Sequence, residues 1–241
     1  MDLLNKLRSA RNGSDDRYLV HIQFEDKVLG TRPLTPDKLR AYLEAKHFDP
    51  EIIEKELAEL EPEERVEDQV LQSRTGFKRD HLGIFIGTYQ MKANLREMMS
   101  SLGITVAKRG SKQTHQHLLD IRAVDLHDQE MEADQATKLR LFRGHELVTE
   151  ADGFVELTAH VRNAQGESSV IKQHNYVENA ETRFILRTPS KETLGKARAG
   201  AYLDTETVVS ILSYSEGNAL GACRSQGFGR FKVTKLELLE D

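Results

Sequence analysis

The residues best suited to chemistry lie late in the chain, in the stretch Gly217–Phe231, GNALGACRSQGFGRF. Glycines stand at positions 217, 221, 227 and 229, with Arg224, Arg230 and the only cysteine, Cys223, among them. Glycine adopts backbone angles that other residues avoid and lets a ligand come close to the main chain. An arginine held between glycines adds a cationic fork to the surrounding N–H groups. That combination suits a phosphate backbone, with Gly221, Arg224, Ser225, Gly227, Phe228, Gly229 and Arg230 as candidate contacts. The same glycines also suit a tight turn and a bulge, so the stretch alone leaves both uses open. Phe228 likewise has two uses, stacking on a base or packing beneath the loop.

A second concentration lies between residues 74 and 112. Arg74, Lys78, Arg79, Lys92, Arg96, Lys108, Arg109 and Lys112 face only Asp80 and Glu97 there. Lys92 and Arg96 are one turn apart on a predicted helix, while Lys108, Arg109 and Lys112 fall in a polar stretch that reads as an exposed loop. The net charge of the whole chain is −5, which hides this local patch. Clustered cations attract phosphates without reading bases. A merely solvated surface has the same composition.

Other chemistry finds little support. The chain has no GxxxxGK[ST] loop, no HExxH and no GxSxG. Gly227-Phe228-Gly229 precedes a strand, the wrong context for a dinucleotide site. His115 and His117 are two apart on an extended segment, but no third metal ligand is evident. Cys223 has no histidine that the sequence assigns to it. His21, His117 and Asp16 are nominees for a positioned acid or base in RNA cleavage, again without identified partners. No catalytic residue, metal or cofactor is therefore expected.

The elements that must position these residues can be read from periodicity. Arg17–Phe24 alternates, with Tyr18, Val20, Ile22 and Phe24 on one face, and reads as a half-buried strand. Val28–Pro36 reads as a loop. Thr35 caps a helix from near Pro36 to about Lys46, and a second helix spans Pro50–Leu60. Glu51–Asp68 is strongly acidic, a solvated face or a patch for a basic partner. Tyr89–Leu102 reads as a helix with Leu95, Met98, Met99 and Leu102 buried and Gly103 at its C-terminal end. Leu118–Val124 reads as a strand, followed by an irregular insertion. Phe154–Val161 and Ser169–Val177 form a long hairpin about Asn163–Gly166, either a projecting finger or an ordinary sheet edge. Thr182–Thr188 is a further strand. Asp204 caps a helix over Asp204–Tyr214, and Phe231–Leu239 closes the chain as a strand. This order predicts an α+β protein with antiparallel sheet rather than a doubly wound one.

The 241 residues, 38% hydrophobic and 30% charged, suit one large domain or two small ones. One cysteine excludes an intrachain disulfide framework. No stretch approaches eighteen apolar residues and no leader pattern is evident, so the expectation is a cytoplasmic chain with no membrane partner.

Gly221, Arg224, Ser225, Gly227, Phe228, Gly229 and Phe231 together resemble the GxxRSxGFGxF-like loop of the RAMP superfamily, the repeat-associated RNA-binding proteins of CRISPR effector complexes. A second stretch, Gly87–Met98, resembles the helix opening of backbone-type members through Lys92, Ala93, Leu95 and Arg96, with Asn94 interrupting the pattern. The resemblance covers about thirty residues. It implies a modified ferredoxin-like (RRM-like) core with a helical insertion and a projecting hairpin. The whole chain, 1–241, would be one RAMP-like domain with inserted segments at about 49–75 and 125–180. It also implies single-stranded RNA (or DNA) held along its backbone, and copies of itself or other effector subunits as neighbours. The leading reading is non-catalytic binding of a guide-type strand in such an assembly. The alternatives are a structural subunit of a homo-oligomeric or viral assembly, and a metal-independent endoribonuclease acting on repeat RNA.

Overall fold

The computed structural model describes residues 15–45, 47, 49–58, 60, 74–104, 119–163, 166–190, 194 and 202–239. The chain opens with β1 (Asp15–Phe24), followed by the two-residue strands β2 (Val28–Leu29) and β3 (Arg32–Pro33). Helices α1 (Pro36–Ala45) and α2 (Pro50–Ala58) come next, then β4 (Thr75–Gly76), β5 (Lys78–Asp80) and β6 (Gly83–Gly87). Helix α3 (Thr88–Ser101) leads to β7 (Asp120–Ala123) and the short strands β8 (Lys138–Arg140), β9 (Phe142–Arg143) and β10 (Glu146–Leu147). The hairpin of β11 (Gly153–Asn163) and β12 (Gly166–Val177), then β13 (Glu181–Pro189), α4 (Thr205–Asn218) and β14 (Phe231–Leu239) complete it.

β1 lies between β13 and β14, and β7 pairs with the far side of β13, every pair antiparallel. The spatial order β14-β1-β13-β7, with α3 before β7 and α4 before β14, is that of a split β-α-β-β-α-β unit, broadly consistent with a ferredoxin-like arrangement. The result is a mixed α+β fold with antiparallel sheets, as expected.

Apolar alternation explains how the layers meet. Tyr18, Val20, Ile22 and Phe24 of β1 are buried in one cluster with Met91, Leu95 and Met99 of α3 and Val208, Ile211 and Leu212 of α4. The other face of β1 is partly exposed at Arg17, His21 and Gln23, as expected of a half-buried strand, with one exception. Leu19 on that face is 3% exposed and packs with Val124 and Ile185, because the chain after β7 folds back over that side. Met91 and Asn94 take the place expected of Met98 and Leu102 among the fully buried residues of α3. Leu102 and Gly103 end that helix with N–H bonds to Met98 and Ser100, and Ile104 bonds back to Met99. Gly103 has φ +68, the left-handed C-terminal closure that glycine favours. Asp204 accepts from Thr207 N at 2.9 Å and caps α4 as predicted.

Val28–Pro36 is not a plain loop. Leu29 and Val28 pair with Tyr176 and Val177, and Arg32 and Pro33 pair with β4. Gly30 permits this, since a Cβ there would stand 2.1 Å from the carbonyl carbon of Gly76. α1 and α2 carry their own small cluster of Leu34, Leu39, Leu43, Ile53 and Leu60. The hairpin runs in register from Gly153↔Tyr176 to Asn163↔Gly166, and only the β12 end near His174–Val177 joins other strands.

Candidate functional site

Five residues in the stretch joining α4 to β14 have positive φ: Ala219, Gly221, Cys223, Gly227 and Gly229. Leu220 N–H closes the loop on Gly229 O at 2.8 Å, and a Cβ on Gly229 would lie 1.8 Å from Leu220 O. A Cβ on Gly221 would lie 2.5 Å from Leu29 O. Both glycines therefore serve the loop's own closure, whereas Gly227 needs only its angle and has open space around it. Ala222 N–H bonds Leu29 O at 3.1 Å and Gly229 N–H bonds Lys27 O at 2.8 Å, which ties the loop to the residues after β1. Asn94, 1% exposed on α3, donates to Ala219 O at 2.6 Å. The residue that interrupts the second motif is thus the one that fastens the helix to the loop.

At the loop tip, left-handed Cys223 is followed by a 3-10 turn over Arg224–Gln226. A left-handed residue next to right-handed ones turns successive N–H groups to one side, an anion-holding concavity. Among the described residues, the N–H groups of Arg224 and Ser225 have no backbone acceptor, and both residues are exposed. Arg224 Nη1 stands 3.1 Å from Glu97 Oε2 on α3, with the side chains 42% and 52% exposed. Hydrogen bonds from Asn218 and Arg224 hold the Glu97 carboxyl below its usual range. An exposed pair of this kind contributes about 0–1 kcal/mol, so a phosphate can displace it.

From Arg224 and Gly221 a groove of about 330 Å³ runs beside Ala93, Asn94 and Glu97. It reaches Thr31, Gln90 and the tyrosines Tyr42 and Tyr89, which are 38% and 55% exposed. The sequence reading missed these groove residues. Tyr42 and Tyr89 each look like ordinary helix positions, on α1 and α3, and only folding brings them to one groove.

The predicted contacts divide. Arg224 and Gly221 line the groove. Ser225 and Arg230 are exposed in the same loop, and Phe228 is half-buried, but they do not border it. Gly227 and Gly229 shape the loop. Lys92 and Arg96 are a correction to the idea of one cationic face meeting the loop. Successive helix residues are separated by about 100°, so with Ala93 and Glu97 on the groove, Lys92 and Arg96 turn toward β7. Burial lowers both pKa values there; for Lys92, the neighbouring Arg96 lowers it further and Asp120 opposes. Lys108, Arg109, Lys112, His115 and His117 lie outside the described residues.

Cys223 does have a histidine partner. His174 Nε2 is 3.4 Å from its Sγ, and His174 Nδ1 is 2.7 Å from Thr75 Oγ1. Thr75 gives its one proton to Gly30 O at 2.8 Å, so it accepts from Nδ1–H, and Nε2 is left to accept from the thiol. Burial pushes the Cys223 thiol up, with Lys172 opposing, which makes this a locking contact rather than an activated nucleophile. His21 meets Asp128 Oδ1 at 2.8 Å, and burial lowers its pKa against the pull of Asp128. Asp16 accepts from Tyr202 Oη at 2.9 Å, which pushes the Tyr202 phenol up to about 12. Among the described residues, no group of three His, Cys, Asp or Glu side chains is placed to hold a metal, and no helix is long and apolar enough to cross a membrane.

The geometry defines an α+β protein whose late glycine loop and third helix frame one side of a partly aromatic groove. No protein-family profile matches the chain, and no curated protein sequence matches it. Its structure is distantly similar, at 12% identity and a TM-score of 0.46, to a chain in a cryo-EM structure of the Type III-B Cmr-beta bound to cognate target RNA. The match covers 98% of this chain, which spans 65% of that one.

Proposed function

We propose that this chain is a non-catalytic module that binds single-stranded nucleic acid, RNA foremost, along its sugar–phosphate backbone within a multi-subunit assembly. One observation carries the reading. Arg224, beside the turned N–H groups of the loop tip, lines the same groove as exposed Tyr42 and Tyr89. Phosphate donors and stacking surfaces in one groove are what a sequence-tolerant strand site requires. The loop's resemblance to the RAMP superfamily supports the same reading and a ferredoxin-like core to carry it. Copies of this chain or other effector subunits are the proposed neighbours. The far part of the β11–β12 hairpin, which pairs only within itself, is a surface available to them.

The test is binding of a labelled single-stranded RNA, followed by anisotropy across a salt series. Affinity falls steeply with salt, and Arg224→Ala weakens unrelated sequences alike while reducing the salt slope by about one. A matched DNA strand settles the sugar preference. Unchanged affinity in the Arg224→Ala protein overturns the contact assignment.

A further inference from the structure

Beside the groove lies a more enclosed pocket, also of about 330 Å³, which shares Thr31, Tyr42, Tyr89 and Gln90 with it. Its walls are apolar, from Leu29, Leu39, Leu43, Phe77, Phe85 and Ile86. That size and lining suit a flat organic ring. Tyr89 stands at the rim because Gly87 leaves room for it; a Cβ on Gly87 would be 2.3 Å from the Tyr89 ring.

The pocket's polar edge is Arg32, with Glu56 and Lys78 beside it. Arg32 is 5% exposed, and one of its donors is left without an acceptor. Its Nη2 donates to Glu56 O at 2.8 Å and lies 3.6 Å from Glu56 Oε2, while its buried Nε has no hydrogen-bond partner. Lys78 forms an ion pair with the other oxygen of Glu56. Two cations thus share one carboxylate, and the balance at this edge is positive. A buried guanidinium N–H left unmet costs stability. A ligand that brings two adjacent acceptors to the fork satisfies it.

We propose that this pocket takes one guanine base, with the ring between the apolar walls and its O6 and N7 accepting from Arg32. Guanine alone among the four bases presents those two acceptors side by side. Adenine and cytosine turn an amino donor to the same place, and uracil offers a single carbonyl. For the source of the base, the inference rests on the strand-binding reading: the shared rim lets one base leave the strand in the groove and enter the pocket. A free guanine nucleotide has the same chemistry, and the experiment separates the two sources.

Calorimetric titration of the whole protein with GMP, IMP, AMP and 7-deaza-GMP tests the pocket without any substitution. GMP and IMP bind alike, whereas AMP and 7-deaza-GMP bind about tenfold or more weakly. In parallel, a uridine oligonucleotide carrying one guanosine binds about tenfold more tightly than one carrying one adenosine. Arg32→Lys keeps the charge against Glu56 but loses the fork, so it abolishes the guanosine preference and leaves the all-uridine affinity unchanged. Strands that bind without base preference, with GMP and AMP equal, overturn the guanine pocket and leave the strand reading standing. GMP preference without any strand binding keeps the pocket as a free-nucleotide site and overturns the strand source. No binding of either kind overturns both.

Discussion

Among the arginines that hold carboxylates, Arg140 and Arg224 have surroundings that differ in nearly every respect. Arg140 in β8 is 1% exposed and reaches Asp80 at 2.7 Å, with Gly83 O and Gln135 also accepting from it and Lys138 sharing the same Asp80 oxygen. Burial by itself would raise the Asp80 carboxyl, but Arg140, Lys138 and the Leu82 N–H hold it far below the ordinary range. Arg224 meets Glu97 at 3.1 Å, with both side chains well exposed. The first pair is structural, because removing either member strands a charge in a low-dielectric interior. The second is exchangeable, because water already competes for it. A cation that exchanges its carboxylate for a strand phosphate is of the second kind, and sequence composition does not distinguish them: Arg79 and Lys78 looked as available as Arg224.

The contrast can be broken at several points. Asp80→Ala leaves Arg140 uncompensated and lowers unfolding stability by about 3–5 kcal/mol, measured by urea titration; a loss under about 1 kcal/mol would remove the distinction. Asn94→Ala strands the Ala219 carbonyl and costs about 1–3 kcal/mol, and it also weakens strand binding because the loop loses its tether to α3. A variant that loses stability but keeps full affinity would show that the loop position does not need α3.

Acidification separates the regions by a different route. Burial lowers the folded-state pKa values of both His21 and His174 below the usual 6.5. The unfolded chain therefore takes up protons first as pH falls, so stability is full above about 6.5 and declines below it. Asp80 stays ionised throughout that window, so the decline belongs to the histidines. The melting temperature is expected to drop between pH 7.5 and 5, and His174→Gln should flatten the profile. A profile that is already flat in the unaltered protein removes the histidine account.

The smallest stability effect is expected at the exposed pair. Arg224→Ala changes unfolding stability by no more than about 0.5 kcal/mol while weakening nucleic-acid affinity. Glu97→Gln frees the arginine and removes a negative charge from the groove, so affinity rises. If Glu97→Gln weakens binding instead, Arg224 needs its carboxylate for positioning, and the comparison sharpens in that direction.

Much of the fold was legible early. Period-two alternation in Arg17–Phe24 and Phe154–Val161, the Asp204 cap and the Gly103 stop are local signals, and each produced the element expected of it. The α+β class followed from their order. The site was less legible. The glycine loop was visible as a motif, but two of its glycines turn out to be required by contacts with Leu29 and Leu220. Tyr42, Tyr89 and Arg32 carried no signal, since nothing local marks a residue whose neighbours come from distant parts of the chain. Lys92 and Arg96 misled because a helical repeat identifies which residues share a face but not which way that face points.

The order of turns, caps and apolar periods along this chain was enough to settle its class and its longer strands and helices, because those depend on interactions within a few residues, whereas the short strands β2 to β6 and β8 to β10 were not read from it. Which arginine is locked and which is free, that Cys223 lies against His174, and that a groove joins the late loop to two tyrosines were decided only on folding. Burial sets the strength of a charge pair or a thiol contact, and burial is a property of residues far apart in sequence brought together in space.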